Sequence, residues 1–163
     1  MTTSFETIYE RFFRKVEEDP DFFEYYNCSA EEAMELAKEK ATGYFEEAVS
    51  TLIIRLSGFA DVDFNDRSSD EFNFELINTE IEILTRMMFV IYLERDFGKL
   101  KTVINSMTSA DIKMIYSPAN ERNSFQNMLN EYKTDIEAKI TQYLSVDRET
   151  GRPKRIEYEE IWT

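Results

Sequence analysis

The chain has no histidine, one cysteine, three prolines and four glycines among its 163 residues. Without imidazole, the side chain that most often serves as a general base near neutral pH is missing, and so is a Glu-x-x-His di-iron site. A single thiol, Cys28, excludes an intrachain disulfide and any zinc site built on cysteine pairs. With so few glycines no Gly-rich phosphate loop can be drawn. The longest unbroken apolar run, Met87 to Leu93, is too short to span a bilayer, and Met1-Thr2-Thr3 opens into polar residues with no basic-then-apolar leader. No membrane, metal or other cofactor is therefore expected, and a chain without a disulfide framework suits a reducing cytoplasm.

What the chain has is acid, rings and helical periodicity. Hydrophobic residues make up 42%, with 13 Phe and 9 Tyr, which argues for a packed core of about one domain. The net charge is −14, unevenly spread: residues 1–80 hold 20 acids and 7 bases (−13), residues 81–163 hold 13 and 12 (−1). Such an acidic front half repels phosphate and disfavours ordinary nucleic-acid binding. It suits a solvated face, or a face that meets nucleic acid without holding it.

The fold expected is mainly α: four or five helices in a bundle-like domain over 1–146, one short extended segment, and an extended C-terminal arm over 147–163. Thr3-x-x-Glu6 has capping-box spacing and predicts a first helix from Ser4 to Val16, with Phe5, Ile8, Phe12 and Val16 on one stripe. Pro20 ends the acidic run after it. Phe22, Phe23, Tyr25 and Tyr26 follow as an aromatic knot that belongs in a core or an interface. Ser29-x-x-Glu32 opens the longest helix, Ala30 to Leu56, about 40 Å long. Ala33, Ala37, Ala41, Tyr44, Ala48, Leu52 and Leu56 mark its buried face, Leu52, Ile53 and Ile54 suit full burial, and Gly58 is the expected C-terminal cap.

Asp61 to Glu71 reads as a solvated acidic loop. Its Asp61-x-Asp63-x-Asn65 start resembles a calcium loop, but Asp66 replaces the turn glycine and Phe72 the bidentate glutamate. Thr79-x-x-Glu82 starts a third helix to Arg95, apolar nearly all round and hence central. After Phe97-Gly98 a short helix, Lys99 to Ser106, is expected; over Asp111 to Tyr116 the alternation of Ile112, Met114 and Tyr116 favours an extended stretch, while Ser109-Ala110-Asp111 could also cap a helical turn. Ser117 with Pro118 opens a last helix to Leu144, striped by Phe125, Leu129, Tyr132, Ile136, Ile140 and Tyr143.

No catalytic constellation stands out. Paired carboxylates such as Glu31/Glu35, Glu46/Glu47 and Asp61/Asp63 are what 33 acids give by chance, and nothing marks a cleft that would split their pKa values. Cys28 has no activating imidazole and reads as a small buried residue before a helix. Beyond the Gly151-Arg152-Pro153 turn, Ile156, Tyr158, Ile161 and Trp162 must bury against something. Two partners are open: the chain's own domain, or a neighbouring subunit reached by strand addition or an aromatic anchor.

One order of residues carries a resemblance. Phe72-Asn73-Phe74-Glu75-Leu76, Glu80-Ile81-Glu82-Ile83-Leu84, Met88, Tyr92-Leu93, Tyr116-Ser117-Pro118-Ala119-Asn120 and Tyr143-Leu144 resemble the head-to-tail connector (adaptor, neck) proteins of tailed bacteriophages infecting low-GC Gram-positive hosts. The Tyr9-x-x-Phe12-Phe13 opening and the Ala30–Leu56 helix look similar too. The resemblance implies a structural virion protein with no enzyme activity or cofactor, made in the host cytoplasm and placed in the virion neck. Its implied partners are further copies of itself in a ring of roughly twelve, the portal protein, a tail or next neck protein, and DNA passing through the lumen without specific binding. Terminal arms of that family clasp neighbours, which makes Ile156, Tyr158, Ile161 and Trp162, with Phe22, Phe23, Tyr25 and Tyr26, the candidate interaction residues. Two other classes compete: a small acidic DNA-mimic inhibitor and a helical protein-binding regulator. An enzyme ranks last.

Overall fold

The computed structural model describes residues 2–17, 19–23, 25–56, 58–97 and 118–154. Its elements are β1 (Thr3–Ser4), α1 (Phe5–Val16), the one-turn α2 (Pro20–Phe23), α3 (Ala30–Leu56), β2 (Glu71–Phe72), α4 (Asn78–Tyr92) and α5 (Pro118–Ser145), so the chain is mainly helical and bundle-like. The short helix and extended stretch expected over 99–106 and 111–116 lie outside the described residues.

α3 forms as its caps dictate. The Ser29 hydroxyl accepts from Glu32 N (3.3 Å) while the Glu32 carboxylate accepts from Ser29 N (2.8 Å), closing a reciprocal box. At the other end Gly58 takes φ +81°, a left-handed setting that lets Phe59 N and Ala60 N turn back onto the Leu56 carbonyl. Between them Ala33, Ala37, Ala41, Tyr44, Phe45, Ala48, Val49, Leu52 and Leu56 are buried. Small side chains in the first half let neighbouring backbones come close, and Tyr44 and Phe45 supply bulk where the helix meets the aromatic core.

α4 is the hub of the bundle, packed against α1, α3 and α5. Ile81, Ile83, Leu84, Met87, Met88, Val90, Ile91 and Tyr92 are all buried, each large aliphatic among them contributing about 1.5–3 kcal/mol by leaving water. Buried Thr85 returns its hydroxyl to the Ile81 carbonyl at 2.7 Å, so no polar atom is orphaned there. Past Tyr92 the helix loosens into a π turn, Leu93–Phe97, short of the regular α-helix expected to Arg95. α5 lays Leu129, Ile136, Ile140 and Tyr143 into the core, with Phe125 and Tyr132 at its margin.

Two starts differ from expectation. Ser4, not Thr3, caps α1, accepting from Glu6 N at 3.3 Å. Thr3 instead pairs with Phe72 in the two-residue antiparallel ladder β1–β2 and its hydroxyl accepts from Leu76 N at 2.8 Å. α4 starts at Asn78, before Thr79, because the Glu80 carboxylate reaches back to Ile77 N at 2.9 Å; Glu82 faces Lys15 and Arg86 rather than a cap.

The acidic loop after α3 is not wholly solvated either. Phe64 is buried, edge-on to Phe72 (6.0 Å) and Phe74 (5.8 Å), and Phe72 in turn meets Phe5 (5.2 Å) and Phe45 (6.0 Å). This ring chain ties the loop to α1 and α3, each contact adding about 0.5–1.5 kcal/mol beyond area burial. Ile54, expected to be buried, is 75% exposed, since it falls on the side of α3 opposite Leu52 and Leu56. Cys28, expected to be buried, is exposed.

Candidate interaction surfaces

The aromatic knot comes apart into four different fates. Phe22 enters the core, 5.7 Å from Phe12 and 5.6 Å from Tyr92. Phe23 is half-buried against Phe13 at 5.7 Å. Tyr25 is half-buried beneath the Lys40 ammonium, 4.8 Å from its ring centroid, a cation–π contact. Tyr26 is 92% exposed, so of the two places expected for these rings it does not take the core of its own chain. The cause is the next residue: Asn27 sits at φ +61°, a left-handed turn that asparagine tolerates, and it swings the chain into α3 with Tyr26 left outside.

Exposed apolar side chains gather toward the two ends of α3. Tyr26, Met34 and Leu36 stand by its start; Ile54 and, at 72% exposure, Phe59 stand by its end. Between Met34 and Ile54 the helix rises about 30 Å, so these are separate surfaces. Along the outside of α3, Glu31, Glu35, Glu39 and Glu46 are exposed, and Asp61, Asp63, Asp66 and Asp70 continue the acid in the following loop. Two of these charges are matched by ion pairs among the described residues: Arg67 holds Glu46 through two 2.8 Å bonds, and Lys154 holds Asp61 at 3.0 Å.

One acid of the front half is not on any surface. Glu80 is 1% exposed, and its oxygens accept from Tyr143 Oη (2.7 Å), Arg148 Nε (2.7 Å), Arg148 Nη2 (3.1 Å) and Ile77 N (2.9 Å). Arg148 also donates to the Glu75 carbonyl and lies over the Phe74 ring. Burial, then the bond to Glu80, raises the Tyr143 pKa above the ordinary phenol value, and the bond to Glu80 raises that of Arg148.

Arg148 belongs to a short hairpin that closes the described chain. Val146 bridges Pro153, Asp147 N donates to the Arg152 carbonyl, Gly151 turns at φ +66°, and Lys154 N donates to the Ser145 carbonyl at 2.8 Å. Asp147 accepts from the Thr150 hydroxyl and amide, which lower its pKa in that order. The first residues of the expected arm, 147–154, are thus fastened to the helices. Ile156, Tyr158, Ile161 and Trp162 lie outside the described residues.

A groove of about 400 Å³ opens beside this exit, lined by Ile53, Leu56, Ala60, Val62 and Phe64, with Asp61 and Asp63 among its polar lining. Lys154 Nζ reaches Asp61 Oδ1 at 3.0 Å across its edge. Comparison of the chain with protein-family models, with characterised proteins and with solved structures finds no match.

Among the described residues no group of three or more histidines, cysteines, aspartates and glutamates is placed to hold a metal ion, and no helix is long and apolar enough to cross a membrane. Sequence reasoning missed Glu80 and Arg148 as a pair. Sixty-eight positions separate them, and no local pattern joins them.

Proposed function

We propose that this chain is a structural assembly subunit, without enzymatic activity, that joins copies of itself head to tail into a ring. The observation that supports this is exposed apolar side chains near both ends of α3, Tyr26 and Met34 by its start and Ile54 and Phe59 by its end, with Leu36 on the other flank of the helix from Met34. A closed ring needs two different patches on each subunit, each meeting the other on the next copy, whereas a two-fold dimer needs only one. Two patches about 30 Å apart on one stiff helix meet that requirement.

Together with the sequence resemblance, this makes a phage neck connector the best reading, with the portal protein on one side and a tail or neck protein on the other. The exposed acids of α3 and of the loop after it then line a conduit from which they repel the passing duplex. Glu80 takes no part, being buried and paired. Mixing the purified chain with portal protein and sedimenting the mixture tests the partner: co-sedimentation supports the reading, and two independent boundaries at every ratio end it.

A second reading rests on Glu31, Glu35 and Glu39, which repeat along one exposed row about 6 Å apart. A row of carboxylates at that spacing suits an inhibitor that imitates a nucleic-acid backbone. Such an inhibitor acts as a monomer or dimer and binds a nuclease, so the same sedimentation run with a nuclease in place of portal separates the two.

A further inference from the structure

The groove beside the Lys154 exit has an occupant within reach. Its floor is Leu56 and Phe64, its walls are Ile53, Ala60 and Val62, and Asp61 and Asp63 add negative charge. A volume near 400 Å³ accommodates one or two large side chains. The hairpin 146–154 delivers the chain to this edge, because the Lys154 ammonium is bound to Asp61 itself.

Nine residues follow: Arg155-Ile156-Glu157-Tyr158-Glu159-Glu160-Ile161-Trp162-Thr163. Their full reach is roughly 30 Å, ample to cross a groove whose edge they already touch. Their chemistry also matches it. Trp162 is the largest apolar side chain of the segment and with one of Ile156, Tyr158 or Ile161 fills the groove's volume, while Glu157, Glu159 and Glu160 need not enter beside Asp61 and Asp63. Arg155 adds a second cation beside Lys154 where the chain meets the acids. An intramolecular occupant also needs no second molecule, so its effective concentration far exceeds that of a neighbour's tail in dilute solution.

We propose that residues 155–163 fold back to seat Trp162 and one further apolar side chain in the Ile53/Val62/Phe64 groove of the same molecule, with Lys154–Asp61 as the hinge pin. The site is an intramolecular one, and it stands whether or not the chain assembles into a ring.

Trp162 is the only tryptophan in the chain, so its fluorescence reports this contact without a label. In the full-length protein, emission shifted to the blue of a free peptide of residues 155–163, and shielding from acrylamide, are expected at every concentration, including those at which sedimentation shows only monomer. Val62→Asp places a charge in the groove wall and should return emission and quenching to the peptide's values while helical circular dichroism is kept. Lys154→Asp, at an exposed position, should loosen the tail in the same direction without touching the core. Peptide-like emission in the unmodified protein overturns the proposal. So does a blue shift that appears only as dimers form, which would put a second copy's tail in the groove, or emission that neither variant changes.

Discussion

Arg148 Nε lies 2.7 Å from Glu80 Oε1, a carboxylate that is 1% exposed, and this bond joins the C-terminal hairpin to the first turn of the central helix. The guanidinium and carboxylate satisfy each other together with Tyr143, Ile77 N and the Glu75 carbonyl. A buried pair of this kind adds little net stability over a well-packed apolar substitute, but removing one partner strands the other. The hairpin's position therefore depends on a pair that must be kept or lost together.

Replacing Arg148 by methionine should cost about 3–5 kcal/mol, because it leaves Glu80 buried without its cation. Denaturant unfolding measures this. A double variant, Arg148→Met with Glu80→Leu, should recover much of the loss, and equal stability of the single and double variants would show the pair to be uncoupled.

Tyr143 should titrate late. Its folded pKa is raised by burial and by the Glu80 carboxylate, so its contribution to stability is complete below the unfolded phenol value near 10 and is lost as pH rises through the folded value. Ultraviolet titration should show most tyrosinates forming first and Tyr143 ionising with loss of helix. Tyr143→Phe should remove that last step.

At the acid end the caps work in the opposite sense. Ser29 holds the Glu32 carboxylate, chiefly through its backbone N–H, and lowers its pKa. This contribution is present above the unfolded carboxyl value and fades as pH falls through the lower folded one. Glu32→Ala removes the carboxylate that the Ser29 N–H bonds, so it should destabilise the protein at neutral pH, and thermal melts should show the gap between variant and parent shrinking in acid.

Phe22 and Tyr26 provide a paired test of core against surface. Phe22→Ala should cost about 3–5 kcal/mol, since it empties a space between Phe12, Tyr44 and Tyr92. Tyr26→Ala should leave stability within about 0.5 kcal/mol of the parent, as expected for an exposed residue. Under the assembly reading Tyr26→Ala nevertheless weakens self-association, which sedimentation equilibrium would register.

How much of this was legible in the chain depends on range. α3 could be written down from Ser29-x-x-Glu32, its alanine period and Gly58, because caps and periodicity act within a few residues. The all-round burial of α4 and the stripe of α5 were readable for the same reason. Most of what failed is longer in range. Thr3 has the spacing of a cap but spends its hydroxyl on Leu76, and Glu82 has the spacing of a cap but spends its charge on Lys15 and Arg86. One miss is local: four neighbouring rings looked equivalent, yet the left-handed turn at Asn27 leaves Tyr26 outside. Glu80 looked like one more surface acid until Tyr143 and Arg148 closed over it. Periodicity says which face of a helix is apolar; it does not say what polar partner arrives from sixty residues away.

The assembly state of the purified full-length chain, measured by native mass and by electron microscopy over a range of concentrations, tests the central claim most directly. A closed ring of roughly twelve copies is predicted, and a charge at either patch, Ile54→Asp or Tyr26→Asp, should reduce it to monomers that remain folded. A particle that stays monomeric at every concentration and with portal protein present, or a two-fold dimer that both variants leave intact, would contradict it.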